Sequence, residues 1–446
     1  MGADLDLIVS RLRQNKVKEY EIYLQQPKSF QLYLRRNKKE LIQKNENVGF
    51  SLRVHDGGMG FAVSDFLTKN SIDNLIKNSV SMARTSKPVQ FQFPKQRASK
   101  NVKTVDKRLK LGEAEKHLED FASQMVDIAK ENNVEISFAK LKAFDMKTQI
   151  RNSEDLFKEK LETYFFLETS IKTSSSEFWT MRYARNLDDL PIDKISEWIN
   201  LAKQSERGME PKTEKTTVIF DPSIMVDLLT SVFNFHTAAS SLKKKVTLFT
   251  PKKVFADRSV TILDDSLHPF GLMTSSFDDE GVPQQRTTII EKGVFKNFLY
   301  DQTYGIAFER KSTGNGLRQR DTFYSTDDKY SLRPSEQAAN LMVMPGKKSL
   351  DALVEEVKHG LIIYKFSWLN PKEESGTFSS EIRNAAYIEN GQITKSVKGG
   401  LISGNIFDML KNVSGISKDP EIVSGASSFS GIMPFVRFEN VQVAGK

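Results

Sequence analysis

The first half of the chain alternates between two hydrophobic periods, one typical of helices and one typical of strands. Apolar residues recur every three or four positions in four segments, which predicts four helices. The first two are capped by Asp4 and Ser71, the third carries Ala114 on its apolar face, and the fourth opens at Pro191. Strands are predicted over residues 19–24, 30–35, 48–54, 59–63, 134–144, 148–152, 158–172 and 177–184. This order favours an α+β domain with a largely antiparallel sheet.

The composition changes near the middle of the chain. Residues 207–215 are rich in charge and contain one Gly and one Pro, which predicts an N-terminal domain over residues 1–210 and a C-terminal domain over residues 211–446. Asp221-Pro222 then predicts a helix start, because Asp accepts hydrogen bonds from first-turn N–H groups and Pro needs no acceptor. Further helices are predicted over residues 334–340, 350–358 and 405–412. Since β-rich runs dominate elsewhere, the C-terminal domain is predicted to be mostly β.

Glycine-containing turns predict three hairpins. His55-Asp56-Gly57-Gly58 separates two early strands, and Asn390-Gly391 lies inside the β-rich segment 386–395. Glu291-Lys292-Gly293 joins residues 287–290 to residues 294–299. In each turn Gly can adopt the positive φ that a tight hairpin requires.

Two elaborate loops flank the hairpin at Glu291-Lys292-Gly293 and hold the candidate binding residues. Asp278, Asp279 and Glu280 could bind a hard cation or form an acid/base pair, since adjacent carboxylates raise one another's pKa. Consecutive residues point in different directions, however, which favours a structural loop at a domain or subunit contact. Asn315 and Arg318 could bind a peptide backbone or carboxylate, although turn geometry explains the same pattern. These five residues are our candidate substrate or partner contacts.

Composition excludes several classes of function. The chain of 446 residues is 39% hydrophobic and 27% charged, and no run approaches the ~20 apolar residues of a membrane helix. The absence of cysteine excludes disulfides and thiolate chemistry. No secretory signal is visible, so a cytoplasmic location is expected. The net charge of +8 arises from interspersed basic and acidic residues, which favours a solvated surface over a nucleic-acid partner.

Several motifs together resemble one known family. They comprise the segment 277–318, Ser375-Gly376-Thr377-Phe378, the hairpin over residues 386–393 and the closing Pro434-Phe435-Val436-Arg437-Phe438. This combination resembles the TldD/PmbA family, once called modulators of DNA gyrase and understood as subunits of a metallopeptidase. The resemblance covers nearly the whole chain and is sharpest from about residue 275 onward.

The resemblance implies where a metal would bind in the metal-bearing members. Their helix after the Asp-Pro start carries HExxxH, whose imidazoles and carboxylate hold zinc and activate its water. In this chain the corresponding positions hold Thr230, Ser231 and Phe235. His236 is one residue out of register on an apolar stripe, which is typical of a core histidine. If this helix is buried, we expect Phe235→Ala to cost roughly 3 kcal/mol or more.

A second difference concerns the C-terminal region. Metal-bearing members use a cysteine there as a ligand, whereas residues 424–430 of this chain offer serines only. These serines form no G-x-S-x-G elbow, so serine catalysis is not indicated either. The chain therefore resembles the PmbA branch, also called TldE, and we predict neither metal ligands nor catalytic residues in it.

The resemblance implies a function for such a chain. It would be the non-metal subunit of a TldD/TldE-type zinc metallopeptidase, helping to enclose and position unfolded peptides, and would be inactive alone. Zinc would be held by an HExxxH-bearing TldD-type partner in a heterodimer, while the lone chain could form a homodimer. The alternative is a stand-alone homodimeric module that binds peptides or proteins without peptidase activity. A role in DNA topology, suggested by the older family name, finds little support in the dispersed charge.

Overall fold

The first half of the chain builds one antiparallel sheet with helices on one face. The computed structural model describes residues 3–109, 113–189, 192–319, 328–425 and 430–446. The helices of this half are α1 Ala3–Gln14, α2 Lys69–Thr85, α3 Ala114–Glu131 and α4 Asp193–Ser205, and two short 3₁₀ turns lie at Lys107–Leu109 and Leu187–Asp189. The strands are β1 Glu19–Arg35, β2 Lys38–Glu46, β3 Gly49–Asp56, β4 Gly58–Ser64, β5 Glu135–Asn152, β6 Phe157–Lys172 and β7 Glu177–Ala184.

The strand order shows that this half consists of two similar units. The order is β4-β3-β1-β5-β6-β7, with β2 paired to the second part of β1. Each unit has a run of strands between two helices, four strands in the first unit and three in the second, and the two units meet where β1 pairs antiparallel with β5. Pro27 lies where β1 changes its other partner from β3 to β2, so its missing N–H faces the break between those strands.

The sheet is buried on both faces. Ile22 and Phe50 pack against α1 and α2, and Leu141 packs in the core that α3 and α4 cover. Alternate residues point the other way: Phe166 and Tyr183 join a cluster with residues of the second half of the chain. Because side chains alternate between the faces of a strand, one sheet supplies both contacts.

The second half contains shorter elements. Its strands are β8 Glu214–Phe220, β9 Ile262–Asp265, β10 Arg286–Glu291, β11 Val294–Phe295, β12 Gly316–Leu317, β13 Ser335–Glu336, β14 Leu341–Val343, β15 His359–Phe366, β16 Thr377–Glu389, β17 Gln392–Val397, β18 Leu401–Asn405, β19 Val413–Ile416, β20 Glu421–Ser424, β21 Ser430–Met433 and β22 Val436–Ala444. Its helices are α5 Pro222–Thr237, α6 Ala239–Lys244, α7 Gln302–Ala307, α8 Leu350–Glu355 and α9 Ile406–Lys411.

Helix α5 lies at the centre of the second half. One sheet has the order β11-β10-β9-β14-β21-β20. In the other, β15 pairs with both β8 and β16, so that β15, β8, β22, β18 and β16 close into a ring. Leu229, Val232 and Phe233 of α5 belong to the large core cluster that contains strands of both sheets. The α+β class is therefore confirmed, with a mostly β second half.

Most predicted elements are present, and several boundaries differ. The runs over residues 19–24 and 30–35 are parts of the single strand β1, and those over residues 134–144 and 148–152 are parts of β5. The highly exposed β2 was not predicted, because its nine residues show no apolar alternation. After the Lys292-Gly293 turn the predicted strand shortens to β11.

Three local predictions are wrong. Asp4 does not cap the first helix, because α1 already begins at Ala3. Helix α2 is capped by Thr68 rather than Ser71; the Ser71 N–H donates to the Thr68 hydroxyl at 3.2 Å in a reciprocal capping box. Residues 334–340 form no helix, since β13 pairs with β12 and the Gln337 N–H donates to the Asn315 carbonyl. Pro191 lies outside the described residues.

The boundary between residues 210 and 211 stays a prediction. The first sheet ends at β7 and the second half begins with β8, yet the two halves share buried clusters. Among the described residues, none of the helices has the length and hydropathy that crossing a membrane would require.

Candidate functional site

Helix α5 begins where the sequence predicts. The Asp221 carboxylate accepts a hydrogen bond of 2.8 Å from the Ser223 N–H, and Pro222 occupies the first turn. Thr230 and Ser231 are 3% and 6% exposed, and neither hydroxyl forms a hydrogen bond with the described part of the chain. The two positions that the family resemblance assigns to His and Glu thus hold buried hydroxyls.

The next two positions of interest on α5 are Phe235 and His236. Phe235 is only half-buried, whereas Phe233 is fully buried. The His236 ring lies among phenylalanines, and its Nδ1 accepts a hydrogen bond of 3.0 Å from the Leu248 N–H. Burial lowers the pKa of His236, so the imidazole is neutral at pH 7. The interpretation of His236 as a core residue is confirmed.

These residues do not fit a zinc ion. Zinc requires imidazole, carboxylate or thiolate donors that converge on one point. Thr230, Ser231 and Phe235 offer none of these groups. Because Nδ1 of the neutral His236 ring accepts a backbone hydrogen bond, the ring proton lies on Nε2, which therefore has no free lone pair for a metal. Within the described ranges, no three His, Cys, Asp or Glu residues converge as a metal site would require.

The five candidate contact residues meet in a buried polar network between the two halves. Asp278 accepts hydrogen bonds from the N–H groups of Glu280, Val282 and Gly316 and thereby shapes its own loop. Asp279 reaches the first sheet, because its Oδ1 accepts from Tyr23 at 3.2 Å and lies 3.1 Å from Lys160 Nζ. Its other oxygen accepts from the backbone N–H of Arg318.

Glu280 forms the centre of the next contact. Its Oε1 accepts from Arg53 Nη1 at 2.9 Å, and its Oε2 accepts from the Gln302 N–H at 2.7 Å. Arg53 also forms a bidentate pair with Glu21 of β1, at 2.9 and 2.7 Å. All three charged side chains are at most 5% exposed. A Cβ on Gly316 would lie 2.3 Å from Glu280 Oε2, so glycine is required at this approach.

Arg318 and Asn315 complete the network. The Arg318 guanidinium lies 4.3 Å from the centre of the Tyr23 ring, and it donates to Glu21, to the Ser51 hydroxyl and to a backbone carbonyl. Asn315 donates to Asp264 at 2.6 Å. Both side chains are fully buried. The assignment of the five residues as substrate or partner contacts stays a prediction, and each of them is engaged within the chain.

Burial and neighbouring charges divide the acidic residues into two groups. Burial alone would raise the pKa of Glu162, but Lys160 and Arg185 lower it to about 2. Burial would also raise the pKa of Asp279, but Lys160 and Lys329 lower it to about 2. In contrast, burial together with Glu280 and Glu336 raises the pKa of Asp301 to about 9. Asp301 is thus protonated at neutral pH.

Sequence reasoning missed the partners that the first sheet contributes. Glu21, Arg53, Lys160, Glu162 and Arg185 all lie on the sheet face that meets the second half. Glu21 and Arg53 are directly opposed on β1 and β3. A charged residue inside an otherwise apolar strand was the available signal, since such a residue is buried only when it is paired.

An open cleft lies beside the start of α5. It holds about 40 Å³ and is lined by β7, α4, the ends of β15 and β20, and the first turn of α5. Arg182 lies 3.4 Å and Lys194 3.7 Å from Glu421, so these charges compensate one another across the cleft. Ser424 accepts from the Tyr183 N–H at 3.2 Å. Residues 426–429 of the serine-rich segment lie outside the described residues.

Comparison with known proteins identifies the family. The PmbA/TldA metallopeptidase C-terminal domain matches residues 213–445, and domain 1 of the same metallopeptidases matches residues 20–83. The first match alone spans more than half of the chain. The chain therefore belongs to the PmbA/TldD family of metallopeptidase-like proteins.

Individual relatives agree with this assignment. The chain is 29% identical over 403 residues to an uncharacterized protein of Methanocaldococcus jannaschii, covering 87% of this chain and 90% of the relative. It is 24% identical over 433 residues to a zinc metalloprotease TldD homolog of Saccharolobus solfataricus, covering 91% and 92%. The crystal structure of TldE from Thermococcus kodakarensis superposes with a TM-score of 0.87 at 20% identity, covering 98% of this chain and 100% of that chain. This last similarity establishes the fold.

Proposed function

We propose that this chain is the non-metal subunit of a TldD/TldE-type zinc metallopeptidase. The observation that carries the proposal is the composition of α5, where buried Thr230 and Ser231 lie at the positions that the family resemblance assigns to the metal-binding His and the catalytic Glu. A family member without these groups cannot polarise a zinc-bound water by itself. The partner, a TldD-type chain with HExxxH, supplies the zinc and the general base.

The contribution of this chain is to enclose and position an unfolded peptide. An extended peptide adds to a sheet edge through main-chain hydrogen bonds, which gives affinity without strong sequence preference. Holding it near the partner's zinc lowers the entropic part of the barrier. The second half offers such an edge, since β17 lies at the end of a sheet and most of its residues are exposed.

The test combines metal content with peptidase activity. The purified chain is assayed alone for bound zinc and for cleavage of an unfolded peptide, and then in a mixture with its HExxxH-bearing paralogue. We expect the lone chain to be inactive and zinc-free and the mixture to form a complex that cleaves. A matched variant of the paralogue with Gln in place of the HExxxH Glu should form the same complex without activity.

Two outcomes would contradict the proposal. Stoichiometric zinc or cleavage by the lone chain would show that α5 has been misinterpreted and that His236 needs another role. Failure to associate with the paralogue, together with peptide binding by the lone chain, would favour the alternative, a stand-alone homodimeric module that binds peptides or proteins.

A further inference from the structure

A surface cleft between the two halves is lined by four cationic side chains. It holds about 200 Å³ and lies between the connector after α2, here residues 92–97, and residues 302–312, which comprise α7 and the segment that follows it. Lys95 and Arg97 come from the connector, and Arg310 and Lys311 come from the other wall. None of the described residues that line it is Asp or Glu. The cleft adjoins the buried network, because Gln302 lines the cleft and its N–H donates to Glu280, and it shares no lining residue with the cleft beside α5.

The charges of this cleft are hardly compensated within the chain. Lys95 Nζ is 3.8 Å from Glu154 Oε2, which is a long contact on the exposed surface. Over the residues that the structure describes, Arg97, Arg310 and Lys311 form no ion pair. Arg310 instead lies 6.0 Å from the centre of the Tyr300 ring. Four cations around one concave surface focus a positive potential, which attracts an anion.

The neutral part of the lining is largely apolar. Phe93, Pro94, Val282, Pro283 and Ile306 contribute its apolar surface. One end is fixed by a hydrogen bond of 2.8 Å from the Gln302 side-chain amide to the Gln92 carbonyl, which joins the two walls. A ligand that fits has an anionic group beside an apolar one.

We propose that this cleft binds an oxyanion attached to an apolar group, the chemistry of a peptide carboxylate next to an apolar side chain. The guanidinium groups of Arg97 and Arg310 bind the oxyanion through charge-assisted hydrogen bonds, for which their planar donors are suited. Lys95 and Lys311 add electrostatic attraction. The apolar group contacts Ile306 and the prolines. The proposal does not rest on the peptidase-subunit function, because the lone chain performs the binding.

The test is calorimetric titration of the full chain with three probes. They are the acidic peptide acetyl-Leu-Asp-Leu-Asp-amide, its neutral counterpart acetyl-Leu-Asn-Leu-Asn-amide, and inorganic phosphate. We expect the acidic peptide to bind at least about tenfold more tightly than the neutral one, and more weakly as salt is added. Phosphate, which carries the charge without the apolar group, should bind more weakly than the acidic peptide.

Variants locate the site. Arg97→Gln combined with Arg310→Gln should weaken binding of the acidic peptide by at least about tenfold. Both side chains are exposed, so folding is preserved, which thermal unfolding verifies. The matched control, Lys38→Gln combined with Lys39→Gln, removes the same charge from the exposed start of β2, which does not line the cleft, and should leave the affinity unchanged.

Each remaining outcome overturns the proposal. Equal weakening by the control variants would show that net charge rather than the cleft attracts the peptide. Equal binding of the acidic and neutral peptides would remove the anionic requirement. Tighter binding of phosphate than of the acidic peptide would identify a free phosphate site and reject the apolar component. None of these results bears on association with a zinc-bearing partner, so the two proposals fail independently.

Discussion

Single buried charges connect the two halves of this chain, and Arg53 is the clearest case. Its guanidinium neutralises Glu21 from the neighbouring strand and Glu280 from the second half. Taking charges out of water is costly, so such a pair contributes little net stability compared with apolar residues of the same size. Removing Arg53 is a different matter, because Glu280 then stays buried without its cation and Glu21 keeps only Arg318.

Replacing Arg53 with methionine should therefore destabilise the fold by roughly 3–5 kcal/mol, as measured by urea unfolding. The control is Arg84→Met, because Arg84 pairs with Asp56 at 2.7 Å on the surface, where a pair is worth at most about 1 kcal/mol. Similar losses in the two variants would show that Glu21 and Glu280 find other partners or water once Arg53 is absent.

Asp301 should make the stability of the fold decrease as the pH rises toward 9. Its pKa is raised to about 9, so between pH 4 and pH 9 the folded chain keeps a proton that the unfolded chain releases. The contribution of Asp301 to the free energy of unfolding is fully present below the pKa of the unfolded chain. It falls by up to about 1.4 kcal/mol per pH unit as the pH rises toward the folded pKa. Asp301→Asn removes this dependence while keeping a side-chain cap for the Tyr304 N–H.

Thermal unfolding of Asp301→Asn across pH 5 to 9 provides the measurement. We expect the variant to gain stability over the unmodified chain as pH rises. Asp257→Asn serves as the control, since this carboxylate accepts from Ser259 on the exposed surface. Parallel pH profiles for Asp301→Asn and the unmodified chain would show that Asp301 is ionised in the folded state.

At the scale of elements, the stripe of apolar residues on helix α5 predicts where the helix lies in the chain but not which of its phenylalanines is buried. The pattern places the helix and its Asp221-Pro222 start correctly, because capping is a local property. It does not distinguish Phe233 from Phe235. Strands of two sheets pack against α5 on different sides. Which phenylalanine they bury depends on strand pairing between residues that are distant in sequence.

Phe233, rather than Phe235, is therefore the residue whose substitution tests the burial of this helix. Phe233→Ala should cost about 3–5 kcal/mol, since the ring is fully buried against Phe249. Phe235→Ala should lower the free energy of unfolding clearly less, because the Phe235 ring is only half-buried. Chemical unfolding of both variants decides the order, and a larger loss for Phe235→Ala would contradict the placement of α5.

Long-range pairing also explains the other differences between sequence and structure. Residues 334–340 begin with Pro and contain the helix-favouring residues Glu, Gln and Ala, yet Glu336 pairs with Gly316 of a distant strand. The sequence indicates that the loops at Asp278 and Asn315 are unusual. It does not indicate that they contact the first sheet, because their partners Glu21 and Arg53 lie more than 200 residues earlier. Local propensity predicts elements, whereas the polar network depends on the assembled fold.

At the scale of the whole molecule, the network makes the contact between the halves sensitive to acid. Glu162 and Asp279 both have a pKa of about 2, below their unfolded values. Groups of this kind stabilise the fold above the unfolded pKa, and this contribution disappears as pH falls toward the folded pKa. The halves should thus separate or unfold between about pH 4.5 and pH 2.

Hydrogen exchange measured by mass spectrometry at decreasing pH tests this contact directly. As acid is added, we expect β6 and the loop around Asp279 to lose protection together, because Lys160 contacts Glu162 on the strand and Asp279 on the loop. Glu162→Gln combined with Asp279→Asn should expose the same two segments already at pH 7, since Lys160 then stays buried without an anion. The surface variant Asp408→Asn, which removes an exposed pair with Lys411, should leave both segments protected. Loss of protection in β6 alone would place the acid-sensitive contact inside the first sheet rather than between the halves.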